Sequence, residues 1–365
     1  MSSDRIPIHK VEVSAYTIPT DFPESDGTIE WRETTIVIVE LHGAGHAGLG
    51  YTYAHDAAAT LIQKKLKPLL EGADAMNPQR VWDTMVRAVR NIGRPGIASM
   101  AISAVDAAVW DLKARALGLP LARLLGQAHD AVPIYGSGGF TSYSIGQLQD
   151  QLRGWVEQGI PAVKMKIGRD PEADIQRVHQ ARQAIGETAE LMVDANGAYS
   201  RKQALDMAAF FDADGVRWFE EPVSSDDLEG LRLVRDRAPA SMEIAAGEYG
   251  FTPWYFERML NAGAVDVLQA DCTRCEGITG FLKVGGLCDA HHLLLSGHTA
   301  PALHTHVACA IVPLKNLEYF HDHVRIENML FDGVPQPVKG TLRPDLTRPG
   351  MGLELKKADA RRWAA

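Results

Sequence analysis

Four acidic residues close four short apolar stretches at nearly even intervals, and no other feature constrains this chain as tightly. Leu191-Met192-Val193 runs into Asp194, and Val216-Arg217-Trp218-Phe219 into Glu220. Residues 243–247 run into Glu248, and residues 265–270 into Asp271. The steps are about 25 residues each, which is one strand plus one crossover helix of an α/β barrel. The carboxylates then project from the C-terminal ends of neighbouring parallel strands. Like charges do not gather there unless a cation holds them.

The alternation extends over much of the chain. Eight strands are expected at 132–135, 162–167, 190–193, 216–219, 242–246, 265–270, 292–296 and 316–320, with amphipathic helices such as 171–185 between them. Before residue 132 the order differs. Strands at 8–17, 34–41 and 48–53 precede helices at 57–70, 78–90 and 98–117, as in an α+β unit. The last helix carries a small-residue face, Ala101, Ala104 and Ala108, and stops at Gly118 and Pro120. The fold class expected is α/β, a modified TIM barrel of (β/α)7β form with an N-terminal α+β capping domain. The cap spans 1–128 and is completed by the tail 332–365; the barrel spans 129–331.

Composition narrows the partners. The net charge of −9, with no basic cluster, argues against nucleic acid. No apolar run approaches the ~20 residues that span a bilayer. Residues 1–10 are polar and lack the apolar core of a signal peptide, so the expected compartment is the cytoplasm.

Two motifs are set aside. Gly43-Ala44-Gly45-His46-Ala47-Gly48 fits GxGxxG, but a dinucleotide fingerprint needs a helix at that turn and another strand follows. Cys272-Thr273-Arg274-Cys275 is a CxxC, yet Cys288 and Cys309 supply no second closely spaced pair for zinc. Four cysteines in a chain this long read as reduced, packed thiols.

The chemistry lies in a constellation. In Val163-Lys164-Met165-Lys166-Ile167, alternation turns both lysines toward the barrel axis and the apolar residues toward the helices. Barrel interiors are normally filled by branched apolar side chains, so two inward lysines beside a carboxylate cluster suggest function. Asp194, Glu220 and Glu248 end three successive strands, an oxygen donor set that suits one Mg²⁺ with open positions. Asn196, just after Asp194, is a candidate ligand or water contact. Glu221, next to Glu220, is expected to point elsewhere. Asp271 and His298 end neighbouring strands, so the carboxylate can orient the imidazole and raise its basicity. His304, His306, His321 and His323 compete for that role; His298 lies nearest the strand end. Glu318 falls on the eighth strand and points into the same mouth.

These residues resemble the mandelate racemase subgroup of the enolase superfamily. KxK at Lys164 and Lys166, Asp-Ala-Asn at Asp194, Glu-Glu-Pro at Glu220, Gly-Glu at Glu248, then Asp271, His298 and Glu318 stand in family order. The resemblance implies that Asp194, Glu220 and Glu248 bind Mg²⁺. It implies Lys166 as a general base, with Lys164 lowering its pKa and touching the substrate carboxylate, and Asn196 and Glu318 as further substrate contacts. It implies His298, paired to Asp271, as the acid/base on the other face, and Glu318 as a hydrogen-bond partner of an enediolate, a protonated acid if its pKa is raised. One departure is visible: Cys275-Glu276 stands where family members often carry paired glycines.

The reaction so implied is removal of the proton α to a carboxylate. Dehydration of a sugar acid, an aldonate or aldarate, to a 2-keto-3-deoxy acid is favoured. Racemisation, epimerisation or cycloisomerisation on the same residues is the alternative, and a non-catalytic metal-binding protein is the reading from another class. The partner is a small-molecule carboxylate, and the resemblance implies a homo-oligomer. The polar segment 20–32, with Asp21, Glu24, Asp26, Trp31 and Arg32, is expected as a loop covering the site and better suited to hydroxyls than to a bare phenyl ring.

Overall fold

The computed structural model describes residues 5–364. The chain opens as an antiparallel sheet of β1 (Lys10–Ser25), β2 (Glu30–Gly43) and β3 (His46–Tyr53). The glycine-rich motif is the turn between β2 and β3. Gly43 pairs with His46, and Ala44 and Gly45 both take positive φ, 49° and 79°. That is the two-residue turn whose twist matches a hairpin. The long helix Ile97–Ala116 packs its small-residue face on β3. A Cβ on Gly50 would lie 2.1 Å from the Ala104 carbonyl oxygen, and one on Gly48 2.3 Å from that of Ala108. Glycine on the strand and alanine on the helix let the two backbones nearly touch.

Two cap elements depart from expectation. The helix expected at 57–70 is interrupted by a π-helical turn at Ile62–Leu66. Pro68 lies just beyond and cannot donate to the preceding turn, so the ladder widens. The segment 20–32 is no loop. β1 continues to Ser25 and β2 begins at Glu30, leaving a tight tip at 26–29, and Glu24, Ser25 and Asp26 are buried.

From Val132 the chain forms β4 (Val132–Gly138), β5 (Ala162–Lys166), β6 (Glu190–Asp194), β7 (Val216–Glu220), β8 (Glu243–Ala246), β9 (Val267–Ala270), β10 (Leu294–Gly297) and β11 (Leu314–Phe320). Neighbours pair in parallel, and β11 pairs with β4 to close the barrel. A helix follows each of the first seven strands, and His321–Leu330 follows β11. Val163, Met165 and Ile167 join the core shared with those helices. Tyr135, Ala162, Met192, Trp218, Ala245 and Val267 form a separate apolar cluster.

The tail touches both units. Thr341–Leu342 pairs with β4, Lys357 reaches Glu40 of β2 at 2.9 Å, and Ala364 bridges to Tyr16 of β1. Among the described residues no helix is long and apolar enough to cross a membrane, and all four cysteines are free and buried.

Candidate active site

Strand ends deliver the acids. Asp194 and Glu220 are the last residues of β6 and β7, and Glu248 follows β8 by two. Their carboxylate oxygens lie within 4.8 Å of one another, and all three residues are buried. Lys164 and Lys166 reach them from β5. Lys164 Nζ lies 2.6 Å from Glu220 Oε1, 2.9 Å from Glu318 Oε1 and 3.5 Å from Asp194 Oδ2; Lys166 Nζ pairs with Asp194 Oδ2. Trp218 Nε1–H and Gln269 Nε2–H donate to Glu220 Oε2 at 2.9 and 3.0 Å. The Asn196 backbone N–H donates to Asp194 Oδ1 at 2.9 Å. Its side-chain Oδ1 is buried without a hydrogen-bond partner.

The imidazole stands opposite. His298 Nδ1 bonds Asp271 Oδ2 at 2.9 Å, while Thr273 N–H and Oγ1–H donate to Asp271 Oδ1 at 2.6 and 2.7 Å. His298 Nε2 lies 3.2 Å from Glu248 Oε2, an ion-pair distance without hydrogen-bond alignment, so that buried oxygen has no hydrogen-bond donor. Ser137 Oγ–H and Thr299 N–H donate to Glu318 Oε1 and Oε2 at 2.5 and 3.2 Å.

The other histidines have different occupations. His304 accepts from Cys272 N–H at 2.9 Å and His306 from Ala122 N–H at 3.3 Å. His321 pairs with Asp21 at 2.9 Å, and His323 stacks on Tyr53. Asp21, Glu24 and His321 form a second close group, in which Glu24 accepts from Trp31 Nε1–H at 2.8 Å.

Mutual electrostatics sets the charges of these groups. Burial pushes the Lys166 ammonium toward neutrality, and so does Lys164. Asp194, Glu248 and Glu318 together outweigh both and hold the Lys166 pKa above the ordinary lysine range. Burial alone would protonate Glu318, but Lys164 and His298 pull it down to about 2, so here it is a carboxylate. Glu221 is buried and does not line the cavity. The strand ends at Glu220, Glu221 takes a φ of 40°, and burial together with the nearby charges of Glu248 and Asp194 raises its carboxyl well above the usual range. For His298, burial opposes the charge, yet Glu248 and Glu318 raise it to about 10. Burial and the Asp194 charge raise Glu220 to about 8.

Lys166, Asn196, Glu248, His298 and Glu318 open onto one cavity of about 230 Å³, which Asp26 and Trp31 of the cap hairpin cover. Thr273, Thr299, Arg274 and Ser137 also belong to this mouth and were not singled out from sequence. The first three lie within three residues of Asp271 or His298, a usable signal. Ser137 lies on the part of β4 beyond the strand expected there.

Residues 11–126 match the model of the mandelate racemase / muconate lactonizing enzyme N-terminal domain, and residues 147–360 match the enolase C-terminal domain-like model. A mandelate racemase/muconate lactonizing enzyme-like protein from Rubrobacter xylanophilus superposes with a TM-score of 0.97 at 56% identity, covering 98% of this chain and 100% of its own. L-talarate/galactarate dehydratase from Salmonella typhimurium LT2, liganded with Mg and L-lyxarohydroxamate, superposes with a TM-score of 0.91 at 31% identity, covering 99% of this chain and 94% of its own. A 3,6-anhydro-alpha-L-galactonate cycloisomerase from Streptomyces coelicolor is 35% identical over 316 residues, 84% of this chain and 86% of that protein. The chain therefore belongs to the mandelate racemase / muconate lactonizing enzyme family, within the enolase superfamily.

Proposed function

We propose that this protein is a Mg²⁺-dependent dehydratase of sugar acids that begins by removing the proton α to the substrate carboxylate. The observation that carries the reading is a cluster of three buried carboxylates, one of which, Glu248, opens onto a cavity with Lys166 and the carboxylate-oriented imidazole of His298.

The donor set fits the ion. Asp194, Glu220 and Glu248 offer hard oxygens, two lysines already offset their charge, and Glu248 keeps an oxygen with no hydrogen-bond donor. These three residues would hold Mg²⁺, which would supply Lewis-acid polarisation of the substrate carboxylate.

Lys166, as the neutral amine once its own proton has passed to solvent, accepts the α proton, and the C–H electron pair becomes the carbon–carbon double bond of an enediolate. Lys164 lies as a cation where the enediolate oxygens develop charge, and Glu318 holds Lys164 at 2.9 Å. His298, a strong holder of a proton beside Glu248 and Glu318, donates that proton to the β-hydroxyl as its C–O bond breaks. Water leaves, and the enol tautomerises to a 2-keto-3-deoxy acid. Asp271 keeps the ring oriented throughout.

The similarity to a dehydratase supports this outcome, and the similarity to a cycloisomerase keeps an isomerase as the second reading. Incubation with Mg²⁺ and a panel of sugar acids in D₂O tests both. Deuterium at the α carbon of recovered substrate, together with formation of a 2-keto acid, is expected. Exchange with inversion and no loss of water identifies an isomerase. No exchange with any acid removes the proton-abstraction reading.

A further inference from the structure

The cavity carries positive charge on one side only. Its cationic lining groups are Lys166, Arg274 and His298. Each already faces carboxylates of the site: Lys166 meets Asp194, Arg274 lies 3.5 Å from Glu248 and 3.7 Å from Asp271, and His298 meets Asp271 and Glu248. The rest of the lining comes from the cap hairpin, the end of β11 and the helix after it, with Asp26, Ile29, Trp31, Thr34, Phe320 and His323.

That wall has no cation. The His323 ring stacks 3.4 Å from that of Tyr53, its Nδ1 accepts from Ala300 N–H at 3.3 Å, and burial pulls it down to about 3. The indole N–H of Trp31 is taken by Glu24, and the Thr34 hydroxyl donates to Asp322 at 2.5 Å. What remains for a ligand is aromatic surface and acceptor oxygen.

Asp26 is fixed where it stands. Its Oδ1 accepts from Thr28 N–H at 2.6 Å, Thr28 Oγ1–H at 2.9 Å and Ile29 N–H at 2.8 Å. Its Oδ2 has no hydrogen-bond partner among the described residues, although the residue is only 4% exposed. The tip is seated on the barrel. A Cβ on Gly27 would lie 2.6 Å from the Ala195 carbonyl oxygen and 2.7 Å from that of Ile167, so the hairpin rests directly on the barrel rim. Thr141 Oγ1–H donates to the Asp26 carbonyl at 2.8 Å, and Thr141 N–H to that of Ser25 at 2.9 Å.

An acceptor that faces the cavity with no protein donor, in a wall with no cation among the described residues, receives a hydroxyl and repels a second carboxylate, which would enter with no partner. We infer that the substrate is a sugar acid with a single carboxylate, an aldonate whose distal hydroxyl donates to Asp26 Oδ2, and that aldarates of matching configuration are rejected. This rests on the proton-abstraction reading above.

The test is a set of matched pairs, pentonates and hexonates against the aldarates of the same configuration, assayed with Mg²⁺ for 2-keto acid formation and α-proton exchange. At least one aldonate is expected to turn over with kcat/KM about 100-fold above its aldarate. An aldarate used as well as its aldonate overturns the inference and leaves proton abstraction standing. Absence of exchange in both series overturns the two together. Asp26→Asn keeps an oxygen for the turn and replaces the free acceptor by a donor. It is expected to raise KM for the aldonate about 10-fold, with little change in kcat, and to narrow the aldonate preference. An unchanged preference in a variant that still gains thermal stability on Mg²⁺ addition overturns the role given to Asp26.

Discussion

Arg94 of the cap forks onto Glu276, in the turn that follows β9 and carries Asp271. Arg94 Nη2–H donates to Glu276 Oε2 at 2.5 Å, and the guanidinium carbon lies 4.3 Å from the Trp254 ring centroid and 5.3 Å from that of Trp82. Glu276 has a φ of 69°, a left-handed conformation that favours glycine. This accounts for the departure seen in the sequence. The backbone keeps the glycine-like turn, and the side chain ties the cap to the loop that carries the His298 partner.

Removing one member leaves the other stranded. Glu276 is fully buried and the Arg94 side chain is 13% exposed, so Arg94→Ala is expected to cost about 3–5 kcal/mol in chemical denaturation. Adding Glu276→Gly should recover part of that loss, since it removes the unpaired carboxylate and relaxes the backbone. A cost for Arg94→Ala below about 1 kcal/mol would put the pair in the class of surface ion pairs instead.

Lys166→Ala and His298→Asn should separate two proton transfers. Each is expected to lower dehydration about 100-fold or more. Lys166→Ala should also abolish α-proton exchange by that base, whereas His298→Asn should preserve exchange while blocking departure of the β-hydroxyl. Wild-type rates in both variants, measured by NMR exchange and keto-acid formation, refute the roles assigned.

Divalent metal should stabilise as well as activate. Asp194, Glu220 and Glu248 are crowded and buried, so an ion that binds only the folded chain raises Tm with its concentration. Mg²⁺ is expected to raise Tm and restore activity after chelation, and Asp194→Asn to lose both responses. Differential scanning fluorimetry reads the first response without any substrate. No shift in the wild type would count against the ion site.

Stability should carry a pH signature from Glu327, away from the acid cluster. Burial raises its carboxyl from an ordinary 4.5 to about 8, although Tyr51 Oη–H and Ala302 N–H donate to it at 2.5 and 3.0 Å. Between those values the folded state holds a proton that the unfolded chain has lost. Its contribution is therefore full below pH 4.5, falls as pH rises and is gone above about 8. In Glu327→Gln, Tm should fall less steeply between pH 5 and 8 than in the wild type. Parallel slopes would show that this group does not titrate in that window.

Periodicity alone exposed much of this protein. The strand-plus-helix period set the barrel, since each strand must bury one face against helices and the chain can do so repeatedly only by winding. That period also brought Asp194, Glu220 and Glu248 to the rim, and alternation turned Lys164 and Lys166 inward. These properties depend on neighbours in sequence, and sequence displays them directly.

Other features needed the assembled fold. Asp26 became a buried wall of the cavity because Gly27 lets the hairpin rest on the carbonyls of Ile167 and Ala195, a contact across about 140 to 170 positions. The Arg94–Glu276 pair joins residues 182 apart. Charge states were hidden for the same reason. Lys164, 0% exposed, draws Glu318 into its ionised form, and Asp194 outweighs Lys164 at Lys166. Coulomb energy depends on distance and burial, and neither is encoded locally. Sequence determined which groups line the barrel mouth; tertiary packing decided which of them are charged and what closes over them.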